Sequence, residues 1–483
     1  MKSPFRTLVI REIQGAIIDF RFWVVFALCL SIIPFSFYVS VENYSQRLSN
    51  YQQEVQMYRD NTQIDPFFIA QGVHPPSPLG IFSSGLGSKM PFKVFTSHEG
   101  DYKIEYAKPD NKKDLLGEFD FAFIVSFVLS ILAIVFTFSS ISGDKESGIM
   151  RLVLSNRVSR KQLLMSKLTG NYVVFLVPFL LSLLIALLIV YLSGVIPIFS
   201  RELIIPVLIM MGISLLYILV MFNLGLWISS LTRNSILSVN VLLLIWIVLG
   251  LVVPKISPII GAVVYPVESS GVFEAKKTLL RQSIIKEQEK EERDLYIGIR
   301  TQMRPQESGV SGQWTDVNSA YDEQIKPVWE KYSQLLYSET EKLVNDYTIR
   351  CNRQNAVARN IARLSPVHLV NKLMAEFSAT GYSEEGYFIR QADVFQAHVK
   401  QYFYDKMPVK IYRDEGGHMT LPGGDGNMND WPINEPVPTL ENYKSVGIGQ
   451  IFVQNRVDIA LLGFYCLLFF VCGFVSFLRF DVR

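Results

Sequence analysis

Apolar residues along this chain gather into long uncharged blocks, at 22–41, 121–142, 171–193, 203–231, 235–253 and 459–478, with polar stretches between them. Each is close to the roughly 20 residues that a helix needs to cross the hydrocarbon core of a bilayer. None contains Asp, Glu, Lys or Arg. One such charge at the centre of a spanning helix costs about 2.5–3.5 kcal/mol on insertion scales, so a bilayer selects against it. A surface helix of a soluble protein keeps a polar face, and a soluble core would have to bury six helices that lack one. The pattern therefore predicts an α-helical integral membrane protein with six transmembrane helices.

Orientation follows from the short connections, because Lys and Arg are retained on the cytoplasmic side. Lys2, Arg6, Arg11 and Arg21 precede the first block, and Lys145, Arg151, Arg157, Arg160, Lys161 and Lys167 lie between the second and third. Arg233 sits between the fourth and fifth, Arg479 and Arg483 follow the last, and the connection between third and fourth holds only Arg201 beside Glu202. Both termini are thus expected in the cytoplasm, with the chain in the inner (cytoplasmic) membrane. Residues 1–21 form a cytoplasmic segment, 143–170 a cytoplasmic loop and 479–483 a cytoplasmic tail. Residues 42–120 and 254–458 become extracytoplasmic insertions. The first block is longer than the apolar region of a signal peptide and lacks a small-residue cleavage site, so it is expected to stay.

The polar stretches have their own patterns. Phe5, Leu8, Val9, Ile13, Ala16, Ile17 and Phe20 recur at helical spacing and predict an amphipathic helix that can lie in the membrane interface. Residues 42–61 lack Gly and Pro and are expected to extend the first helix as a stalk. Pro, Gly and Ser crowd 66–91, which argues for irregular backbone, and alternation over 92–106 suggests strands. The apolar stretch 256–267 is too short to span and is interrupted by Pro258 and Gly261, so it reads as an interfacial or re-entrant piece. Helix formers and charge dominate 273–303 and 317–363, with helical character continuing over 370–403. A turn-rich tail at 414–438 and a short segment at 442–454 lead back to the last block. The two insertions are therefore expected to build a mixed, mainly helical extracytoplasmic domain.

The most ordered polar element is 142–170, SGDKESGIMRLVLSNRVSRKQLLMSKLTG. Asp144 and Glu146 are the first charges of acid sign past the second block, and Gly148 permits a bend. Ile149, Leu152, Val153 and Leu154 make an apolar helix face with Arg151 on its polar side. Ser155, Asn156 and Arg157 supply a turn. Ser159 and Gln162 match a capping box, so a new helix starts there and runs into the third span. The expected product is a short amphipathic helix held across the membrane face, able to take a push from a soluble partner.

This stretch, an acidic-Gly motif followed by a Leu-rich turn and a Ser-Arg pair, resembles the coupling segment of ABC-type-2 permeases. The tight 231–234 link, the leading amphipathic helix and the order of six spans resemble that family too. The large insertions, with RLSPVHLVNKLMAEFSATG at 363–381, resemble a subgroup of it. The resemblance implies a non-catalytic permease subunit of an ABC exporter, paired as a homodimer or heterodimer, working with a separate ATPase that supplies ATP and Mg chemistry. It also implies that Asp144, Glu146, Gly148, Arg151, Leu154 and Arg157 sit at the ATPase contact, with Ile149, Leu152 and Arg160 in the same coupling set. The insertions raise an alternative, in which the motion acts on a periplasmic or lipoprotein partner as mechanotransmission or scaffolding without transport.

Composition narrows the choice. No G-x-x-x-x-G-K-[ST] phosphate loop occurs, so ATP hydrolysis belongs to another chain. His74, His98, His368, His398 and His418 show no ligand spacing, and Cys29, Cys351, Cys466 and Cys472 neither pair into a zinc pattern nor predict a disulfide in the outer domain. The blocks hold no ionisable group of the kind that ion-coupled carriers use. A net charge of +2, with basic residues where topology places them, gives no reason to expect nucleic acid.

Overall fold

The computed structural model describes residues 4–61, 70–96, 102–106, 119–155, 158–302, 313–406, 412–413, 419–420, 440 and 443–479. Among the described residues, six helices are long and apolar enough to cross a membrane: Phe20–Tyr58, Phe121–Glu146, Arg160–Ser193, Arg201–Leu231, Ser235–Val264 and Ile448–Arg479. They are called the first to sixth spans below. The chain forms two compact units, Met1–Leu251 with Ser365–Arg483, and Val252–Leu364.

In the first unit, α1 (Pro4–Ile18) precedes α2 (Phe20–Asn61), which carries the first apolar block and the polar stretch after it as one helix. The second span opens with α3 (Phe121–Phe123), widens into a π-helical turn at Ile124–Leu129 and returns to α4 (Ser130–Thr137). The later spans of this unit are α7 (Arg160–Ser193), α8 (Arg201–Leu231), α9 (Ser235–Ile247) and α15 (Ile448–Arg479). The second span ends in α5 (Ser142–Glu146), and α6 (Ile149–Ser155) lies between it and the third. Aromatic rings fill the centre: Phe136, Phe175 and Phe222 meet with centroids 5.2–6.3 Å apart. Hydroxyls inside the spans donate back to carbonyls of the preceding turn, as Thr137 does to Ala133 O (2.7 Å) and Ser214 to Met210 O (2.8 Å), which spares lipid an unpaired polar group.

At the end of this bundle away from α5 and α6, three strands pair antiparallel: β1 (Ala70–Val73), β2 (Pro91–Thr96) and β3 (Tyr102–Tyr106), with Gly72 opposite Val94 and Val94 opposite Ile104. The alternation over 92–106 thus does form strands. Phe388, Ala392, Phe395 and Val399 cluster with Val94 of the sheet, and all four lie on one helix, α14 (Tyr382–Lys406), at spacings of three and four. Residues 414–418 and 421–438 of the turn-rich tail lie outside the described residues, and Met419–Thr420 pairs with Tyr412–Arg413.

Beside the sheet, Glu384 is buried with its carboxylate engaged on both oxygens: Tyr443 Oη donates to Oε1 at 2.8 Å, Val446 N donates to Oε2 at 3.0 Å, and His74 Nε2 lies 3.6 Å from Oε1. Burial pushes this carboxyl up, but the contacts from His74, Val446 and Tyr443 outweigh it and hold it below the ordinary glutamate range. The stability it supplies is therefore present above the free-glutamate value of about 4.3 and is lost as pH falls below it. Glu384→Gln should make the acid limb of the thermal-midpoint-against-pH curve shallower below about pH 4.3. An acid limb as steep as the parent's would show that Glu384 contributes nothing there.

The segment 363–381 is packed on the span bundle. Its helix, α13 (Pro366–Phe377), packs against α3, the π-helical turn, α8 and α15. Eight of its 12 residues are buried and share one half of the helix, with His368, Asn371, Lys372 and Ala375 half-buried on the other. The Pro/Ser/Gly-rich stretch clasps the loop after it: Ser77 Oγ donates to Ser378 O (2.6 Å), Leu86 N to Thr380 O (2.9 Å) and Thr380 Oγ1 to Ser83 O (2.9 Å). Gly85 has φ +54°, and a Cβ there would lie 2.2 Å from Thr380 O, so glycine is required at this crossing. The helix Ile448–Arg479 also takes up residues 448–454, read from sequence as a lead-in.

The second unit contains α10 (Val253–Val264), α11 (Ser270–Gln302) and α12 (Gln313–Ala362). The stretch from 256, expected as a separate interfacial piece, is helix: Pro258 cannot donate to Pro254 O, and Ser257 Oγ takes that carbonyl at 3.0 Å. Helices α11 and α12 run antiparallel, with Phe273 stacked on Tyr347 (4.0 Å between centroids), Glu291 paired to Lys331 (2.7 Å) and Tyr296 on Tyr321 (5.5 Å). Gly261 lets α10 press on α12, since a Cβ there would lie 2.9 Å from Gln354 O.

Candidate functional site

The 142–170 segment folds as two short helices joined by Ser147 and Gly148, where Gly148 adopts φ +73°, a left-handed conformation open to glycine at no steric cost. After the second helix, Ser159 Oγ accepts from Gln162 N at 3.2 Å and starts α7. This is the cap read from the sequence. Asn156 and Arg157 lie outside the described residues, as does the side chain of Leu154.

The three charges of α5 all turn to the bundle, each to a different helix. Lys145 Nζ donates to Ser230 O and, at 3.1 Å, to Thr232 O, where α8 ends. Glu146 Oε2 accepts from Ser235 N at 3.0 Å, where α9 begins. Free carbonyls gather at a helix C-terminus and free N–H groups at an N-terminus, so a cation on the first and an anion on the second complement the dipoles. Arg160 repeats the logic, with Nη1 donating to Leu478 O (2.7 Å) at the end of α15. Asp144 Oδ2 lies 2.7 Å from Lys167 Nζ on α7, and the same Nζ lies 3.2 Å from Glu12 Oε1 on α1. Lys167 is only 4% exposed, so its charge is held by two carboxylates inside the packed end of the bundle.

Close helix crossings bring these groups together. A Cβ on Gly170 would lie 2.7 Å from Glu12 Cβ, so glycine lets α1 lie directly on α7. Ser229 Oγ accepts from Ile141 N (3.1 Å) and Ser142 N (3.0 Å) and donates to Phe138 O (2.9 Å), pinning the start of α5 to α8. Arg21 Nη1 donates to Ser139 Oγ (2.6 Å), and its guanidinium stands 4.5 Å over the Phe138 ring.

The following helix faces the other way. Met150 is buried and Val153 packs half-buried on the core, which anchors one side of α6. Ile149 is 46% exposed and Leu152 69% exposed, three residues apart and so on one face, with Arg151 exposed between them. Of the nine residues singled out from sequence, the seven whose side chains are described divide: Asp144, Glu146 and Arg160 have their charges engaged within the chain, Gly148 makes the bend, and Ile149, Arg151 and Leu152 are presented outward. Lys145, Lys167, Glu12 and Ser229 were missed as members of the site. The two lysines read from sequence as topology charges alone, and Glu12 and Ser229 carried no local signal.

Among the described residues, no group of three or more His, Cys, Asp and Glu is placed to hold a metal. A search of curated proteins finds no match to the chain. The model of one family, described as ABC-2 family transporter protein, matches residues 6–482, which takes in all six spans and the short helices α5 and α6. The chain therefore belongs to the ABC-2 transporter family and is a multi-pass membrane subunit of an ABC transporter.

Proposed function

We propose that the chain is an exporter permease in which residues 142–160 receive the stroke of a separate ATPase and hand it to the spans, moving substrate outward. ATP and Mg belong to that partner, and the permease works beside a second permease subunit. The end of the bundle carrying α5 and α6 faces the cytoplasm, in keeping with the Lys and Arg of the short connections. What carries the reading is the division of labour within one short segment. Ile149, Arg151 and Leu152 form an outward apolar and cationic face, while the residues on either side grip α7, α8, α9 and α15. A force on such a face cannot be absorbed locally, because Lys145, Glu146 and Arg160 each bond to the terminal backbone of a different span.

Leu152→Glu combined with Ile149→Glu should abolish co-purification of the ATPase subunit from cells while leaving the amount of folded permease in the membrane unchanged. Both side chains are solvent-facing in the free chain, so the fold loses little. Full retention of the ATPase by the double variant would overturn the assignment of this face.

A further inference from the structure

Charge is divided along the second unit. Residues 268–346, most of α11 and α12, carry 15 acidic against 11 basic residues, a net of −4. Residues 252–267 and 347–364, which hold α10 and the end of α12, carry Lys255, Arg350, Arg353, Arg359 and Arg363 and no acid. These two stretches lie side by side. Phe273 stacks on Tyr347, Gln354 Nε2 donates to Tyr265 O at 2.8 Å, and a Cβ at Gly261 would lie 3.1 Å from Ala358 Cβ. Continuing that antiparallel register sets Arg359 level with Pro258 and Arg363 level with Pro254.

The level is that of a bilayer surface. The fifth span, Ser235–Val264, is about 45 Å long at 1.5 Å per residue, against about 30 Å for the hydrocarbon core. With Ser235 at one face of the core, where Glu146 holds its N–H, the core ends near Lys255 and α10 rises through the headgroup layer. Only Ser257 and Gly261 of α10 are buried. Ile256, Ile259, Ile260 and Val263 are exposed, Ile259 at 62% and Val263 at 76%. A contiguous apolar surface of this kind marks a contact with lipid or with protein.

The cations decide between the two. Arg350, Arg353 and Arg359 are exposed and have no acidic partner among the described residues. Arg353 precedes Gln354 and Arg359 follows Ala358, each about 100° around α12 from the contact with α10, so arginine stands on both flanks. Arginine beside the outer end of a span opposes the charge rule that orients the chain, so topology does not call for it. Guanidinium groups match phosphate oxygens, and their stems lie well on an apolar boundary. A second copy of the chain related by a two-fold axis would bring the same five cations to the contact and repel.

We propose that α10 and the end of α12 form a binding surface for anionic phospholipid in the outer leaflet, with Arg350, Arg353 and Arg359 on headgroup phosphates and the exposed isoleucines and Val263 of α10 at the acyl boundary. Residues 268–346, net negative, are repelled by the same surface, so the unit is held by one end. The proposal rests on the orientation given above, with α5 and α6 in the cytoplasm, and not on the direction of transport.

The test uses the purified permease in phosphatidylcholine vesicles with a trace of photoreactive lipid, the reactive group placed on the headgroup of either phosphatidylglycerol or phosphatidylcholine. The anionic probe should crosslink to peptides from 347–364 about tenfold more than the neutral one, or better, since each basic residue near an anionic surface is worth about fivefold. Arg350→Gln, Arg353→Gln and Arg359→Gln together should remove that preference while the neutral probe labels the sixth span as in the parent, which shows the chain still folded and inserted. Lys286→Gln with Lys290→Gln, in the net-negative part, should change nothing. A parent without the preference, or a triple variant that keeps it, overturns the proposal. So does a disulfide between two copies that carry Ile259→Cys or Val263→Cys with the four native cysteines replaced, which would give α10 to a second copy. Orientation is read separately: Asn352→Cys in the same background should react with an impermeant thiol reagent added to whole cells. Reaction only after the cells are opened overturns the orientation and the outer leaflet together, even where the vesicles show the preference.

Discussion

Lys167→Met should be among the most damaging single substitutions in the chain, lowering stability by about 3 kcal/mol, at the lower end of what removing one partner from a buried ion pair costs. The Nζ lies 2.7 Å from Asp144 and 3.2 Å from Glu12, so its loss leaves two carboxylates with no cation between them. The lower end applies because both carboxylates keep contact with water, at 26% and 27% exposure, which softens the repulsion. Glu12→Gln and Asp144→Asn added to Lys167→Met should restore most of the loss, since buried charges removed together leave no unpaired group. The measurement is the thermal unfolding midpoint of the purified subunit, read with proteolysis of α1, which should become cleavable in the single variant and protected in the triple. A single variant within about 0.5 kcal/mol of the parent, the range of ordinary surface changes, would show that the triad holds nothing.

The spans were legible because one term dominates them. A charge in the hydrocarbon costs more than any local propensity, so blocks free of Asp, Glu, Lys and Arg mark membrane helices almost by themselves. The same criterion misplaces the ends. Lys167 lies seven residues into the helix Arg160–Ser193 and Asp458 ten into Ile448–Arg479, because a paired charge near the end of a span is tolerated where an isolated one is not. In the candidate site, the Ser159 cap was readable since both its groups lie within four residues. The bonds from Lys145, Glu146 and Arg160 cross 85, 89 and 318 residues of chain and left no trace in it. Asp144 and Glu146 looked outward-facing for the same reason: acidic residues beside a membrane read as solvated unless their partners are known. Helix α13 was invisible for a different one. Twelve residues with one apolar face look alike whether that face covers a soluble core or packs on a span bundle, and only the fold distinguishes the two.

Gly225→Ala should destabilise the bundle, although alanine is the better helix former by about 1 kcal/mol. A Cβ at this position would lie 1.9 Å from Thr137 Oγ1 and 2.7 Å from Thr137 Cβ, across the contact between the second and fourth spans. Rotating Thr137 to relieve the overlap breaks its 2.7 Å hydrogen bond to Ala133 O in a wholly buried position, so the helices must separate instead. Overpacking of this kind costs about 1–3 kcal/mol in a packed core, and between lipid-embedded helices close approach is itself the main source of association. Thr137→Ala in the same chain should recover only part of the loss, because it removes the hydroxyl contact and leaves the Cβ overlap. Ser229 lies one turn beyond Gly225 and holds the backbone of Ile141 and Ser142, so separation of these spans also loosens α5. ATP hydrolysis coupled to substrate should therefore fall in Gly225→Ala while the permease still binds its ATPase through Ile149 and Leu152. A variant with parental stability and coupling would mean that the second and fourth spans do not transmit motion through this crossing.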